Sequence, residues 1–460
     1  MLLKSKDIEI SPTDPFKNDL LGLEHSAKVL TGIVESSEQG FTLSVNADWG
    51  CGKTTFVKMW RAYLQNKAIS SIYLNAWETD FCQDPMMALI DSLAEAIQSA
   101  DFGIDKYKIL SPIVDALIKT VQCLPAVSVV GHIAGAVKEG MDKQQEDRNE
   151  LDKHRTYSSI VQEFRSKLSE FVENLPDKKL VIFIDELDRC RPTYSIEMLE
   201  RIKHFFCIDN IIFVLSIDKS VMLQAIKGIY NSDEINAESY LRRFVDLEFE
   251  LPKRNLSEFV HYLYAKNNLS VYEDAYSKRI DQSFNRKDND YVFEGVLLDI
   301  FLTSNCSLRD VEKFFNRLVV SLCSLKRMAS VEIIAILLYL YVFDRDTYRR
   351  LKEMEYNNIA DFILAIEESV CKSVGTDNDY NYISYIFDLA HLYARYVQQE
   401  HSQIDLAKGF SLEQFSFKRL SISKDDIKRI WEQSDAYRRN AHLSMILPTI
   451  ELVSEHFTLD

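Results

Sequence analysis

The sequence predicts an α/β layer fold built on a parallel sheet, followed by an α-helical C-terminal region. Three observations lead there. Short apolar runs alternate with helical patterns through the N-terminal half, as layered α/β folds require. Two of those runs, Leu180 to Ile184 and Ile211 to Leu215, are continuously apolar, like strands buried on both faces of a parallel sheet. After Pro252 the strand signals stop and amphipathic helix takes over.

The five strand candidates, in order, are Phe41 to Val45, Ser71 to Leu74, Leu180 to Ile184, Ile211 to Leu215 and Val245 to Phe249. The second and third lie about a hundred residues apart, far more than one crossover helix needs, so a helical insert is expected near residues 100–172. It opens on the apolar stretch Thr120 to Val137 and continues into the charged run Lys143 to Arg148, read as a solvated helix face. From Leu256 onward the pattern is helical, broken by the polar stretch Asn285 to Asp290, and Val331 to Phe343 suits a buried helix. No repeat of fixed period is evident. The expected domains are a core over 1–254, a helical lid or sensor region over 255–345 and a C-terminal helical domain over 346–460.

Composition sets bounds on function. The chain has 460 residues, 47% of them apolar and only 13 glycines, which is a globular, helix-rich profile. The net charge of -16 repels phosphate backbones and gives no support to a nucleic-acid binder. The eight cysteines are scattered, with no CxxC pair and no zinc-ligand spacing to a histidine. They read as buried free thiols of a reducing compartment, which places the chain in the cytoplasm. The N-terminus has no apolar signal core. Thr120 to Val137 holds Gln122, Pro125 and two glycines between Lys119 and Lys138, so it falls short of the roughly 20 strongly apolar residues of a span. Membrane contact is the minority reading.

The strongest chemical signal is Ala47-Asp48-Trp49-Gly50-Cys51-Gly52-Lys53-Thr54, a phosphate-binding loop with Ala for the first Gly. A strand precedes it and an amphipathic helix, Thr55 to Leu64, follows. Gly50 and Gly52 permit backbone conformations that a side chain blocks. Their amides and the helix N-terminus cradle phosphate oxygens. Lys53 reaches the β- and γ-phosphates and the Thr54 hydroxyl binds magnesium, with Thr55 beside it. The bland alternative, a chance match in a turn, is weakened by the strand and helix on either side.

The second signal is the apolar strand that ends in Asp185-Glu186. Its carboxylates fall at the sheet's C-terminal edge, where open α/β sheets bind ligands. Asp185 is the candidate magnesium holder through water, and Glu186 the general base that polarises the attacking water. The alternative is an ordinary solvent-facing acidic pair. The two motifs lie about 130 residues apart with one strand signal between them, an order that suits ATPases with an extra strand between loop and acid and an acidic base. With no Asn-Lys-x-Asp motif, ATP with Mg2+ is favoured over GTP.

These stretches carry a family resemblance. Asp19-Leu20-Leu21-Gly22-Leu23, Trp49 to Phe56, Leu74-Asn75-Ala76-Trp77, Phe183 to Cys190, Ser216-Ile217-Asp218, Tyr240 to Phe244 and Ser307 to Val311 follow one another as in the KAP group of P-loop NTPases, in the STAND division of ASCE ATPases. The chain resembles that family over roughly residues 15–320. It departs from it at Glu186, where the family often has Asp, and in the marginal apolarity of an insert that in many members carries transmembrane helices.

Secondary candidates are Arg189, Arg242, Arg243 and Arg309, each able to place a guanidinium near a γ-phosphate or to be a plain surface arginine. Arg309 is the first choice for a lid sensor, with Arg243 beside it as a catalytic candidate. Asp218 or Ser216 is the candidate γ-phosphate sensor at the fourth strand tip. Trp77 reads as a core anchor before a ligand contact.

The leading functional expectation is an ATP-hydrolysing switch or assembly ATPase, acting through self-association or a partner effector. Resemblance to the family associates it with phage exclusion and conflict with mobile elements. The alternatives are a non-hydrolysing, nucleotide-gated scaffold, at the membrane in one form, and a small-molecule phosphotransferase. No nuclease, protease or deaminase constellation stands out in the C-terminal half.

Overall fold

The computed structural model describes residues 9–82, 85–86, 88–89, 92, 150–205, 208–230, 236–252, 256–272, 292–302, 306–325, 331–370, 379–406, 410–420, 422–434 and 442–451. The apolar stretch Thr120 to Val137, the charged run Lys143 to Arg148 and the polar break Asn285 to Asp290 lie outside the described residues. The chain divides into two compact units, 7–253 and 254–460 together with 1–6.

The first unit opens with α1 (Glu24–Ser36), β1 (Phe41–Asn46), α2 (Lys53–Asn66), β2 (Ser70–Asn75) and the short α3 (Ala76–Thr79). It continues with α4 (Glu150–Glu173), β3 (Leu180–Asp185), a 3-10 turn over Leu187–Arg189, α5 (Pro192–Phe205), β4 (Ile211–Ile217), α6 (Lys219–Tyr230), α7 (Ala237–Leu241) and β5 (Leu247–Glu250). All five strands form one parallel sheet in the order β2-β3-β4-β1-β5. β4 therefore lies between the loop strand β1 and the acidic strand β3, as the spacing of the motifs led us to expect.

Register aligns the strand tips. Asn75 pairs with Asp185, Asp185 with Ser216, and Val45 with Ser216. Parallel strands all end at the same edge, so the loop after β1, the acids after β3 and the tip of β4 converge there.

β3 and β4 are buried along their whole length, which explains their unbroken apolar sequence. Their residues alternate between two cores, as a period of two demands. Val181, Phe183, Ile212 and Val214 pack with α1 and α2 on one face. Ile182, Ile184, Phe213 and Leu215 pack with α4, α5 and α6 on the other. Trp60 anchors the first core, edge-on to Phe183 at 5.2 Å, with its Nε1 donating to Thr31 Oγ1 at 3.0 Å. Each fully buried side chain of this size stabilises the fold by about 1.5–3 kcal/mol.

The fifth strand begins two residues later than its apolar pattern predicts. Phe244 and Val245 are drawn into the second core, and pairing with β1 starts beside Asp246, whose carboxylate accepts from the Thr42 amide at 2.9 Å. Similarly α2 begins at Lys53, two residues before the predicted start, because the loop's last glycine serves as its N-cap.

The second unit is helical: α8 (Leu256–Lys266), α9 (Val292–Leu302), α10 (Leu308–Leu325), α11 (Val331–Phe343), α12 (Arg345–Lys352), α13 (Ile359–Val370), α14 (Asp379–Glu400), α15 (Lys424–Ser434) and α16 (Leu443–Glu451). One apolar cluster runs through it from Val260 to Ile450. α11 is buried without interruption from Val331 to Leu340, the position expected of a helix apolar on every face. The buried Glu367 is satisfied by three successive amides: Arg419 and Leu420 donate to one oxygen at 2.6 and 3.0 Å, and Lys418 to the other at 3.0 Å. No helix among the described residues is long and apolar enough to cross a membrane.

Candidate functional site

The loop after β1 carries two residues in the left-handed region, Gly50 at φ +77° and Gly52 at φ +89°. An L side chain is strained there. At Gly52 a Cβ would also meet Leu21 Cδ1 at 3.2 Å. Leu21 is held in place by Asp19, whose carboxylate accepts from the Leu21 and Glu24 amides at 3.1 and 2.9 Å. Gly52 offers no side chain to cap α2. The first-turn amides of α2, which have no intrahelical acceptor, are left for a ligand together with the positive end of the helix dipole.

Lys53 is buried beneath this loop. Its Nζ donates to the Ala47 carbonyl and to the Asp48 carbonyl at 3.3 Å, and lies 3.8 Å from Asp188 Oδ2. A buried ammonium costs several kcal/mol unless it is paired, so these acceptors hold Lys53 in place. Asp48 and Trp49 are exposed, while Ala47, Gly50, Cys51, Thr54 and Thr55 are half-buried.

Two strands away, Asp185 is only 1% exposed. Its Oδ2 accepts from the Tyr73 hydroxyl at 3.0 Å and its Oδ1 from the Glu186 amide at 2.9 Å. Burial, then the neighbouring Asp185 charge, pushes the Tyr73 hydroxyl well above its ordinary value, so it remains a donor. Glu186 itself is left-handed, at φ +60°, and turns the chain into the 3-10 segment. Its Oε1 lies 3.0 Å from Arg189 Nη1, and the Arg189 guanidinium sits over the Trp77 ring at 5.7 Å.

Asp188 joins the loop to the tip of β4. Its Oδ2 accepts from Trp49 Nε1 at 2.6 Å and from the Asp218 amide at 2.8 Å. The Asp218 carboxylate is occupied locally: its Oδ1 accepts from the Ser220 amide at 3.0 Å and from the Ser220 hydroxyl at 2.6 Å, capping α6. Ser216, whose backbone pairs with both Val45 and Asp185, has a buried hydroxyl with no hydrogen-bond partner.

The structure thus brings together Ala47 to Thr55, Asp185, Glu186, Ser216 and Asp218 at one sheet edge. Arg243 is exposed and lies over the Tyr240 ring at 5.6 Å, and Arg242 pairs with Glu238 at 3.0 Å. Arg309 is exposed at the second position of α10, in the second unit. Trp77 corrects its sequence reading: it is 55% exposed and anchors no core, because it sits in a four-residue helix at the tip of edge strand β2. Trp60 is the tryptophan buried in this unit.

Sequence reasoning passed over two members of the site. Asp188 was legible as an acid three residues past Asp185, but its partners lie in other motifs. Tyr73 needed the β2–β3 register, which sets it opposite Phe183, two residues back from Asp185.

Among the described residues no group of three or more His, Cys, Asp and Glu side chains forms a metal cage. The donor set fits magnesium instead, which takes one or two protein oxygens and completes its shell with water and phosphate. Thr54 and Asp185 would supply those two oxygens, and the uncapped α2 amides and the orphaned Ser216 hydroxyl are donors that suit an anionic ligand.

A parallel sheet that sets a glycine-bearing loop and a buried lysine at the same edge as an acidic strand tip, with one strand between them, defines a nucleotide-binding P-loop NTPase. The chain belongs to the KAP family: the KAP family P-loop domain matches residues 24–324, more than half of its length. It is 23% identical over 273 residues to the phage T7 exclusion protein of Escherichia coli strain K12, covering 54% of this chain and 34% of that one. It is 38% identical over 81 residues to an uncharacterised protein of Methanocaldococcus jannaschii, covering 17% of this chain and 37% of that one. The matched regions span only 34% and 37% of these relatives' lengths. Among solved structures, the Aeropyrum pernix ORC2 protein aligns at TM-score 0.32 and 11% identity, over 97% of this chain and 96% of that one. Cdc6p from Pyrobaculum aerophilum aligns at 0.32 and 10%, over 95% and 86%.

Proposed function

We propose that this chain hydrolyses ATP with magnesium and uses the cycle as a switch or assembly ATPase that excludes phage. The observation that carries the hydrolytic part is the placement of Lys53 and the Asp185-Glu186 pair at one sheet edge, beside an uncapped helix N-terminus.

Each residue then has a physical task. The Gly50 and Gly52 backbone and the first turn of α2 bind phosphate oxygens by N–H donation and by the helix dipole. Lys53 exchanges the Ala47 and Asp48 carbonyls for the β- and γ-phosphate oxygens. Thr54 and Asp185 would hold the metal, with Tyr73 fixing the orientation of the Asp185 carboxylate. Bound magnesium neutralises charge on the phosphate oxygens. Glu186 accepts the proton of the attacking water. Arg309 and Arg243 are the arginines we assign to sensing the γ-phosphate, and Asp218 or Ser216 reports it at the β4 tip. The helical regions 255–345 and 346–460 are the parts whose partner binding changes with the nucleotide.

The exclusion role draws on the similarity to the phage T7 exclusion protein. Two measurements test the reading. Purified protein turns over ATP, and Lys53→Ala abolishes that turnover. Cells expressing the wild type plate phage T7 less efficiently than cells expressing Lys53→Ala. Equal turnover and equal plating for the two forms would sink the proposal.

A further inference from the structure

Glu186 is held in the left-handed backbone region, at φ +60°, a conformation that a residue with a Cβ adopts only under strain. Such a conformation persists only where its surroundings over-determine it. Here the determinants are specific. The Arg189 amide donates to the Glu186 carbonyl at 3.1 Å and closes the turn. The Arg189 guanidinium then reaches back to the Glu186 carboxylate at 3.0 Å. The two side chains are only 25% and 14% exposed, so this pair is less screened than a surface ion pair.

The guanidinium is itself placed from another strand. It lies over the Trp77 ring, and Trp77 is fixed by donation of its amide to Asn75 Oδ1 at 3.1 Å. Asn75 ends β2 in register with Asp185. The contacts therefore close a circuit from the β2 tip through Trp77, Arg189 and Glu186 to the β3 tip. Two further ties hold α3 and the residues after it against the same turn: Thr79 Oγ1 to the Tyr194 hydroxyl at 2.9 Å, and Arg191 Nε to Asp80 Oδ1 at 3.0 Å.

We infer that Arg189 is the positioning residue for Glu186, with Trp77 as its backstop, and that it does not contact the phosphates. One guanidinium nitrogen holds one carboxylate oxygen and leaves the other to take a proton from water. The assignment rests on Glu186 being the base of the proposed hydrolysis.

The test uses the full chain and reads kcat and KM for ATP with the Kd for ATPγS. Arg189→Ala lowers kcat by about tenfold or more, a fraction of what a general base contributes, while Kd for ATPγS stays within about twofold. Arg189→Lys recovers part of the loss, and Trp77→Ala loses less than Arg189→Ala. In a Glu186→Gln background Arg189→Ala has no further effect, because the group it positions is gone. Arg189→Gln and thermal melts of every variant separate misfolding from misplacement. Turnover that Glu186→Gln abolishes but Arg189→Ala and Arg189→Gln leave intact would overturn the positioning role alone. So would a loss of ATPγS affinity in Arg189→Ala with ADP affinity kept, which marks a phosphate-contacting arginine. Turnover that survives Glu186→Gln removes the base assignment itself, and the positioning role with it.

Discussion

The indole Nε1 of Trp49 donates to Asp188 Oδ2 at 2.6 Å, joining residues 139 positions apart in the chain. The same oxygen accepts the Asp218 amide at 2.8 Å. One carboxylate therefore ties the phosphate-binding loop to the tip of β4, with Lys53 Nζ 3.8 Å away.

Replacing that carboxylate has two opposed effects on nucleotide binding. It frees Lys53 for phosphate, and it loosens Trp49 and the β4 tip. The Lys53 contact is beyond hydrogen-bond length, whereas the other two are direct bonds to a charged acceptor, worth about 1.5–3 kcal/mol each. Loosening wins. Asp188→Ala is expected to weaken ATPγS binding about tenfold, equivalent to about 1.4 kcal/mol, by titration calorimetry. Unchanged or tighter binding would show that Asp188 only restrains Lys53.

Glu186→Gln keeps the shape of the base and removes its proton affinity. Turnover falls by roughly two orders of magnitude or more, the usual contribution of a general base, while ATP stays bound to the protein through gel filtration. Loss of binding together with turnover would assign Glu186 to the nucleotide pocket instead.

Cys190 is nearly buried behind the acidic turn. Burial, then the carboxylates of Asp80, Asp188 and Glu186, pushes its thiol up to about 12 from an ordinary 9.0. The thiolate is the reactive form, so at pH 8 the native protein presents almost none of it there. Iodoacetamide mapping by mass spectrometry is expected to label Cys190 in guanidinium and to leave it unlabelled in the native state. Equal labelling in both would mean the turn opens readily.

Gly40 enters β1 against the backbone that leads into β4. A Cβ there would sit 2.0 Å from the Ile208 carbonyl oxygen and 2.9 Å from that of Ile211. Backbone cannot yield as a flexible side chain can, so Gly40→Ala costs about 2–4 kcal/mol, above the usual range for overpacking. Urea denaturation measures it, and a loss below about 0.5 kcal/mol, the level of an ordinary surface change, would show that the β1 entrance rearranges freely.

Much of this molecule is legible in one dimension because its signals are local. β3 and β4 declare themselves by unbroken apolar sequence, the loop by its glycines and lysine between strand and helix, and α11 by apolarity on every face. Motif spacing and the need for crossovers suit a parallel sheet with an extra strand between loop and acid, and strand pairing makes that strand β4. Less was legible at the β5 start, where Phe244 and Val245 satisfy a strand pattern yet are taken by the core behind the sheet.

By itself the sequence determined the class of the fold, the glycine-bearing loop after β1 and the acidic end of β3. Hydrophobic period and backbone permissiveness are properties of neighbouring residues, and neighbours are what a sequence records. Only the tertiary structure decided that Asp188 binds Trp49, that Tyr73 holds Asp185, that Arg189 engages Glu186 and not the solvent, and that Trp77 stands exposed behind it. Each of these depends on which strand tips the sheet sets side by side, or on how a left-handed turn aims a side chain. Both are set by packing between segments far apart in the chain.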